Sequence, residues 1–219
     1  MEDVLDVYAR PYDAQRPVVC LDEKSKELHA TPRGSLAMQP KDKAGVRGQP
    51  QRVDSEYERH GTANLFCWVE PLTGRCAVRV TQRRTGRDFA EQLRLLVEED
   101  YPHAEQIVLV TDNLNTHTPA CLYERFSPEQ ARGIAQKIEW HYTPEHGSWL
   151  NMAELELSIL GRQCLKRRIP EHETLVREVA AWEQARNATP VQIRWHFTTE
   201  DARIKLRRLY PVIKVQSST

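Results

Sequence analysis

The chain has 219 residues, 40% apolar and 28% charged, with 31 basic side chains balanced by 31 acidic ones. That length suits one compact unit with a sizeable core. No apolar run reaches the roughly 18 residues of a membrane span, and the N-terminus "MEDVLDVYARPYDAQRP" lacks the basic start and apolar centre of a signal peptide, so a cytoplasmic protein is expected.

The first clear element is "RPVVCLDE", a β-rich apolar run behind a proline that reads as a strand ending near Asp22. "LHATPRGSLAMQPKDKAGVRGQPQRVD" follows, rich in proline and glycine, and reads as a long loop or arm over residues 28–55. Its charges are mainly basic: Arg33, Lys41, Lys43, Arg47 and Arg52 against Asp42 and Asp54. "NLFCWVEPLTGRCAVRV" predicts two strands around the turn "PLTG". Phe89, Leu93, Leu96 and Val97 then form one helix face, closed by Tyr101 and Pro102.

"IVLV" predicts a fourth strand ending at Asp112. "PACLYERFSPEQARGIAQ" reads as helical and "KIEWHYTP" as a fifth strand. "MAELELSILGRQCLKR" and "PEHETLVREVAAWEQARNA" predict two helices, the second with Leu175, Val179 and Trp182 at helical spacing. A last basic helix starts at a Thr198/Thr199 cap with Glu200 and Asp201 in its first turn. Three strands before the first helix, and no G-x-G-x-x-G after the first strand, argue against a dinucleotide fold. A mixed sheet flanked by helices fits this order. Five scattered cysteines without C-x-x-C spacing read as reduced core thiols; a Cys67–Cys76 contact across the hairpin is the weaker alternative.

Two strand-end aspartates raise a chemical question. If the first and fourth strands are parallel neighbours, Asp22 and Asp112 lie side by side, which is unfavourable without a cation. Hard oxygen ligands of this kind suit Mg²⁺ or Mn²⁺, and Glu154, near the start of a helix, can supply a third. Each acid also has a plain reading as a turn former or surface residue. Glu23 adjoins Asp22 but points to the opposite face of a strand. Glu156 lies roughly 200° around the helix from Glu154 and cannot replace it without re-registering.

In "VVCLDEKSKEL", "VLVTDNLNTH" and "YTPEHGSWLNMAELELSIL" the chain resembles the DDE transposases of bacterial insertion sequences, in the branch related to Tc/mariner. The acid, D-N and N-x-x-E signatures fall on Asp22, on Asp112 with Asn113, and on Asn151 to Glu154; the likeness runs on through "ETLVREVAAWEQARNA" and "FTTEDARIKLRRLYP". The resemblance implies a ribonuclease H-like α/β fold, with a catalytic domain over 1–165 and a helical extension over 166–219. It also implies that Asp22, Asp112 and Glu154 hold two Mg²⁺ or Mn²⁺ ions about 3.5 to 4 Å apart, nicking DNA at transposon ends and transferring the strand to a target. In the mariner branch the position of the 28–55 segment resembles that of the clamp loop, which reaches a partner subunit or DNA; an ordinary extended hairpin tip is the alternative. His117 and His146 flank the site and either touch water or phosphate or serve structurally. Trp149 is expected as a core anchor.

DNA is the expected partner. Residues 75–87, 161–168 and 203–214 are basic stretches without an acid, and Arg83, Arg84, Arg87, Lys166, Arg167 and Arg168 are the candidate phosphate contacts. Only 21 residues precede Asp22, too few for the helix-turn-helix that reads transposon ends in the family. The expectation is a catalytic part without its sequence reader, acting as a homodimer or beside a partner transposase. Two alternatives stay open: a silent remnant that binds DNA or a full-length transposase, and a ribonuclease H-like nuclease with another substrate.

Overall fold

A computed structural model describes residues 1–33 and 55–210. Most of the basic loop expected over 28–55, including Lys41, Lys43, Arg47 and Arg52, lies outside the described residues. Five strands form one sheet in the order β3-β2-β1-β4-β5. β1 (Val18–Ala30), β2 (Glu58–Glu70) and β3 (Arg75–Thr81) form an antiparallel meander. β4 (Ile107–Thr111) and β5 (Ile138–Tyr142) run parallel to β1. The predicted neighbourhood of the first and fourth strands is therefore present, with Cys20 opposite Val110.

β1 does not end at Asp22. It continues to Ala30 because β2 stays paired with it past the end of β4, so Asp22 sits opposite Cys67 in mid-strand. The polar run Glu23 to Glu27 hides this continuation from a reading based on hydrophobicity. The turn at 71–74 forms as predicted, with Gly74 at φ +74. A Cβ there would lie 2.4 Å from the backbone of Val191, because the 190–193 segment crosses the turn and Ile193 N–H donates to Pro71 O at 2.8 Å.

Helices cover both faces. α2 (Gly86–Leu95) starts at a Thr85/Asp88 capping box and continues through a wider turn over Leu96–Asp100. The segment read as one helix is two, α3 (Ala120–Arg125) and α4 (Pro128–Gln136), because Ser127 caps α4 and Pro128 occupies its first turn. With α2 they bury Phe89, Leu93, Leu122 and Ile134 against Val19, Leu21 and Leu109; each such side chain contributes about 1.5–3 kcal/mol.

On the opposite face, a short helix that the sequence pattern did not reveal, α1 (Glu2–Tyr8), buries Val4, Leu5 and Val7 beside Cys20, Val108 and Val110. α5 (Ala153–Gln163), α6 (His172–Ala188) and α7 (Thr199–Lys205) complete this side. Leu175 and Val179 of α6 are buried as predicted, and α7 begins at a Thr198/Asp201 capping box. All five cysteines are free thiols. Among the described residues no helix is long and apolar enough to cross a membrane.

Candidate metal centre

Alternation along β1 decides which way each acid points. Val19 and Leu21 face α2 to α4, whereas Cys20 faces α1 and the start of α5. Asp22 shares the face of Cys20 and is buried, 9% exposed, with Oδ1 accepting from Glu23 N–H at 2.8 Å. Its carboxyl is pushed up to about 7, first by burial and then, despite that hydrogen bond, by the negative charges of Asp112, Glu23 and Glu154. Asp112 and Glu154, distant in sequence, are therefore near enough to act on Asp22.

Asp112 is the first residue past β4, and Glu154 is the second residue of α5. Asn151 fixes α5 in place. Buried at 1% exposure, it donates from Nδ2 to Leu21 O at 2.8 Å and accepts from Ala153 N–H at 3.1 Å on Oδ1. One amide thus ties the start of α5 to β1 at the residue before Asp22, and Glu154 N–H donates to Asn151 O at 3.1 Å. Glu156 is buried and held by Arg186 of α6 through bonds of 3.0 and 2.7 Å, well apart in role from the exposed Glu154.

His117 is buried, stacked on Phe89 with ring centroids 4.1 Å apart. Its Nδ1 is hydrogen-bonded to Asp112 Oδ1, and its Nε2 lies 3.0 Å from Glu23 Oε2. Burial pulls its pKa down, but the two carboxylates outweigh this and raise it to about 9. Asn113 and His146 are exposed, and both line an open groove of about 450 Å³ with Asp112 and Ser148. His146 has φ +60, and next to it Gly147 packs on Pro144 so closely that a Cβ would lie 2.6 Å from Pro144 Cγ. Trp149 is not a core anchor. It is 47% exposed and stacks on Trp195 at 6.2 Å, because Leu150 takes the buried place beside it.

The donor set, three carboxylates without a lysine or arginine paired to them, fits a hard divalent cation. The arrangement is open: among the described residues no three His, Cys, Asp or Glu side chains are gathered closely enough to grip an ion as they stand. Asp112 is turned to His117 and Glu154 faces solvent. The chemistry of the site fits a metal; its final geometry depends on these two side chains.

The basic candidates divide. Arg83, Arg84, Arg87 and Lys166 are exposed, with Arg84 Nη1 3.7 Å from Glu23 Oε1. Arg167 is paired with Glu178. Arg168 is half-buried, donating to Ser55 O and Glu56 O at 3.1 and 2.9 Å and lying over the Tyr57 ring, so part of its donor capacity is already taken by the chain. Lys24 was overlooked by the sequence reading. It is exposed on the face of β1 that carries Asp22, and its Nζ is 3.6 Å from the place of a Cβ at Gly161 of α5. Counting by two from Asp22 would have found it.

Residues 17–176 match the sequence profile of the DDE superfamily endonucleases. The chain belongs to this family. Membership of the DDE endonucleases implies dependence on a divalent cation. Two solved structures are similar, the Mos1 mariner paired end complex with Mn and the Mos1 strand transfer complex. Each is 17% identical and covers 83% of this chain, with TM-scores of 0.50 and 0.51. The match spans 52% and 51% of those chains, about half their length. No curated protein matches. The five-stranded mixed sheet of this DDE endonuclease is ribonuclease H-like.

Proposed function

We propose that the chain is the catalytic part of a DDE transposase, hydrolysing phosphodiester bonds at transposon ends and joining the freed strand to target DNA. The observation that carries this reading is that the charges of Asp112 and Glu154, from two other elements, act together with burial to push the Asp22 carboxyl up to about 7. A fold alone gains nothing from such crowding. Two Mg²⁺ or Mn²⁺ ions held by these three side chains would offset the charge that builds on the phosphate and on the attacking and leaving oxygens.

The chain's own residues do the rest. Asn151 sets the position from which Glu154 reaches the site. The groove beside Asp112 leaves room for a strand, and Arg83, Arg84, Arg87 and Lys166 offer charge for its phosphates. No Ser, Tyr or Cys nucleophile is needed, in keeping with five thiols of which four are buried. The catalytic unit is assigned to 1–165 and the extension to 166–219, whose α6 lies against β3 and α7 against α1. DNA ends, target DNA and a second transposase subunit are the partners, in the cytoplasm.

The test is purified protein with labelled DNA in Mn²⁺ or Mg²⁺, beside Asp112→Asn. Metal-dependent nicking lost in the variant supports the enzyme. DNA binding without nicking by the unaltered chain indicates a silent remnant, and strong preference for a hybrid or junction indicates another nuclease.

A further inference from the structure

Asp22 and Glu23 are adjacent acids with different surroundings. Alternation turns Glu23 to the other face of the sheet, where its side chain is 4% exposed. Its Oε2 lies 3.0 Å from His117 Nε2, and its Oε1 lies 3.7 Å from Arg84 Nη1. His117, 2% exposed, lies flat on Phe89, and its Nδ1 is hydrogen-bonded to Asp112 Oδ1, with Thr111 Oγ1 3.4 Å away. A line of polar contacts thus runs from a surface arginine through two buried side chains to a carboxylate of the triad.

Burying an acid and an imidazole is costly, and the 3.0 Å approach of His117 Nε2 to Glu23 Oε2 is an ion-pair contact without an aligned hydrogen bond; a well-packed apolar pair would serve the fold at least as well. The pair gains value from what it holds. Asp112 stands beyond the last residue of β4, outside the ladder that fixes the strand, so its side chain needs another constraint. His117 supplies it from a turn closed by its own N–H to Leu114 O at 2.9 Å. With one ring nitrogen on each carboxylate and the ring clamped by Phe89, the imidazole cannot rotate without losing both contacts.

We propose that Glu23 and His117 are positioning residues for the metal centre: Glu23 orients His117, and His117 orients Asp112 toward the ion. The inference rests on reading Asp22, Asp112 and Glu154 as metal ligands. The acidic dipeptide then does two jobs from two faces of one strand, Asp22 facing the metal and Glu23 aligning its partner from behind.

The experiment measures Mn²⁺ affinity by titration calorimetry, and nicking as a function of Mn²⁺, on the full chain and on Glu23→Gln, His117→Ala, His117→Asn and Asp112→Asn. Glu23→Gln and His117→Ala should weaken Mn²⁺ binding about 10–100-fold, with nicking recovered substantially as Mn²⁺ is raised. His117→Asn, whose amide can stand near the place of Nδ1, should restore part of the affinity. If His117→Ala fails to fold, the near-isosteric Glu23→Gln and the smaller His117→Asn carry the test. Folded Glu23→Gln with wild-type Mn²⁺ affinity would overturn the proposal, leaving the pair a pin for the fold. So would loss of binding in Glu23→Gln as complete as in Asp112→Asn, since Glu23 would then be a ligand itself. Wild-type affinity in Asp112→Asn would remove the metal-site reading first, and the positioning role with it.

Discussion

Two carboxylates on one face of the sheet have opposite fates. Glu139 on β5, opposite Val108, accepts from Arg10 at 2.8 Å, from Arg16, and from His141 at 2.9 Å, while the other nitrogen of His141 meets Asp3 at 2.8 Å. Burial pushes the Glu139 carboxyl up, but these partners overcome it and hold it at about 2. Asp22 lies farther along, toward the carboxyl ends of the parallel strands, and burial together with acidic neighbours pushes it up to about 7. One end of the face is neutralised from within; the other, in the reading proposed above, takes its cation from outside. A charge cluster alone therefore does not mark a site; a carboxyl pushed up among acids that no lysine or arginine pairs is the candidate.

The hardest way to break this contrast is to exchange the substitutions. Asp22→Asn should reduce nicking by orders of magnitude while the melting temperature holds or rises, because it removes a buried carboxylate crowded by like charges. Glu139→Gln should leave nicking unchanged and cost on the order of 1 kcal/mol of stability. A single-turnover nicking assay with thermal melts on both variants reads the pair, and a stability loss confined to Asp22→Asn would reverse the assignment. The next largest effect is that of the metal itself. Mn²⁺ at a hundred times its Kd should stabilise the protein by about 2.7 kcal/mol. Asp22→Asn should lose most of this gain, and Glu139→Gln should keep it.

The contrast was only partly legible in the sequence. Asp22, Asp112 and Glu154 stood out as candidates because their neighbours are distinctive: an acid behind an apolar β-rich run, a D-N pair, and an N-x-x-E spacing at a helix start. The full length of β1 could not, because its outer half has polar side chains and is held by pairing with β2. α1 escaped because seven residues are too few to show a helical period. His117 and Glu23 were visible as residues but not as a pair, since their contact depends on the strand's alternation, the turn after β4 and the Phe89 ring acting together. The partners of Arg168 were hidden for a similar reason: the carbonyls that accept from it come from residues far away in the chain.

Asn151 offers a sharper probe of the acidic end that touches no acid. Asn151→Ala removes both of its bonds and leaves Leu21 O without its side-chain donor, which should cost about 1–3 kcal/mol. Nicking should fall more steeply than stability, since Glu154 loses its fixed starting point; a fall in stability alone would limit Asn151 to the fold. Acid titration probes the other end. The depressed Glu139 carboxyl contributes stability that is complete above its ordinary 4.5 and is lost as pH falls toward about 2. Between pH 5 and 3 the wild type should therefore lose more unfolding free energy than Glu139→Gln, as read from denaturant midpoints. Parallel lines for the two proteins would show that the arginines do not act on Glu139.

The smallest expected effect concerns backbone strain. Among the described residues His146 is the only non-glycine at positive φ, and it lies in the loop that leads from β5 past the groove to Asn151. A left-handed conformation costs an L-residue about 1–2 kcal/mol, whereas glycine takes it readily but loses more chain entropy on folding. His146→Gly should therefore raise stability by less than about 1 kcal/mol, the two effects partly cancelling. Its imidazole is almost wholly exposed, 92%, so removal of the ring leaves no buried partner unsatisfied. If the loop's path matters and the ring does not, nicking should stay within about twofold of wild type, below the several-fold loss that removal of a charge-assisted contact brings. A larger fall with unchanged stability would place the His146 ring on the DNA, making the acidic end a surface that binds phosphate as well as metal.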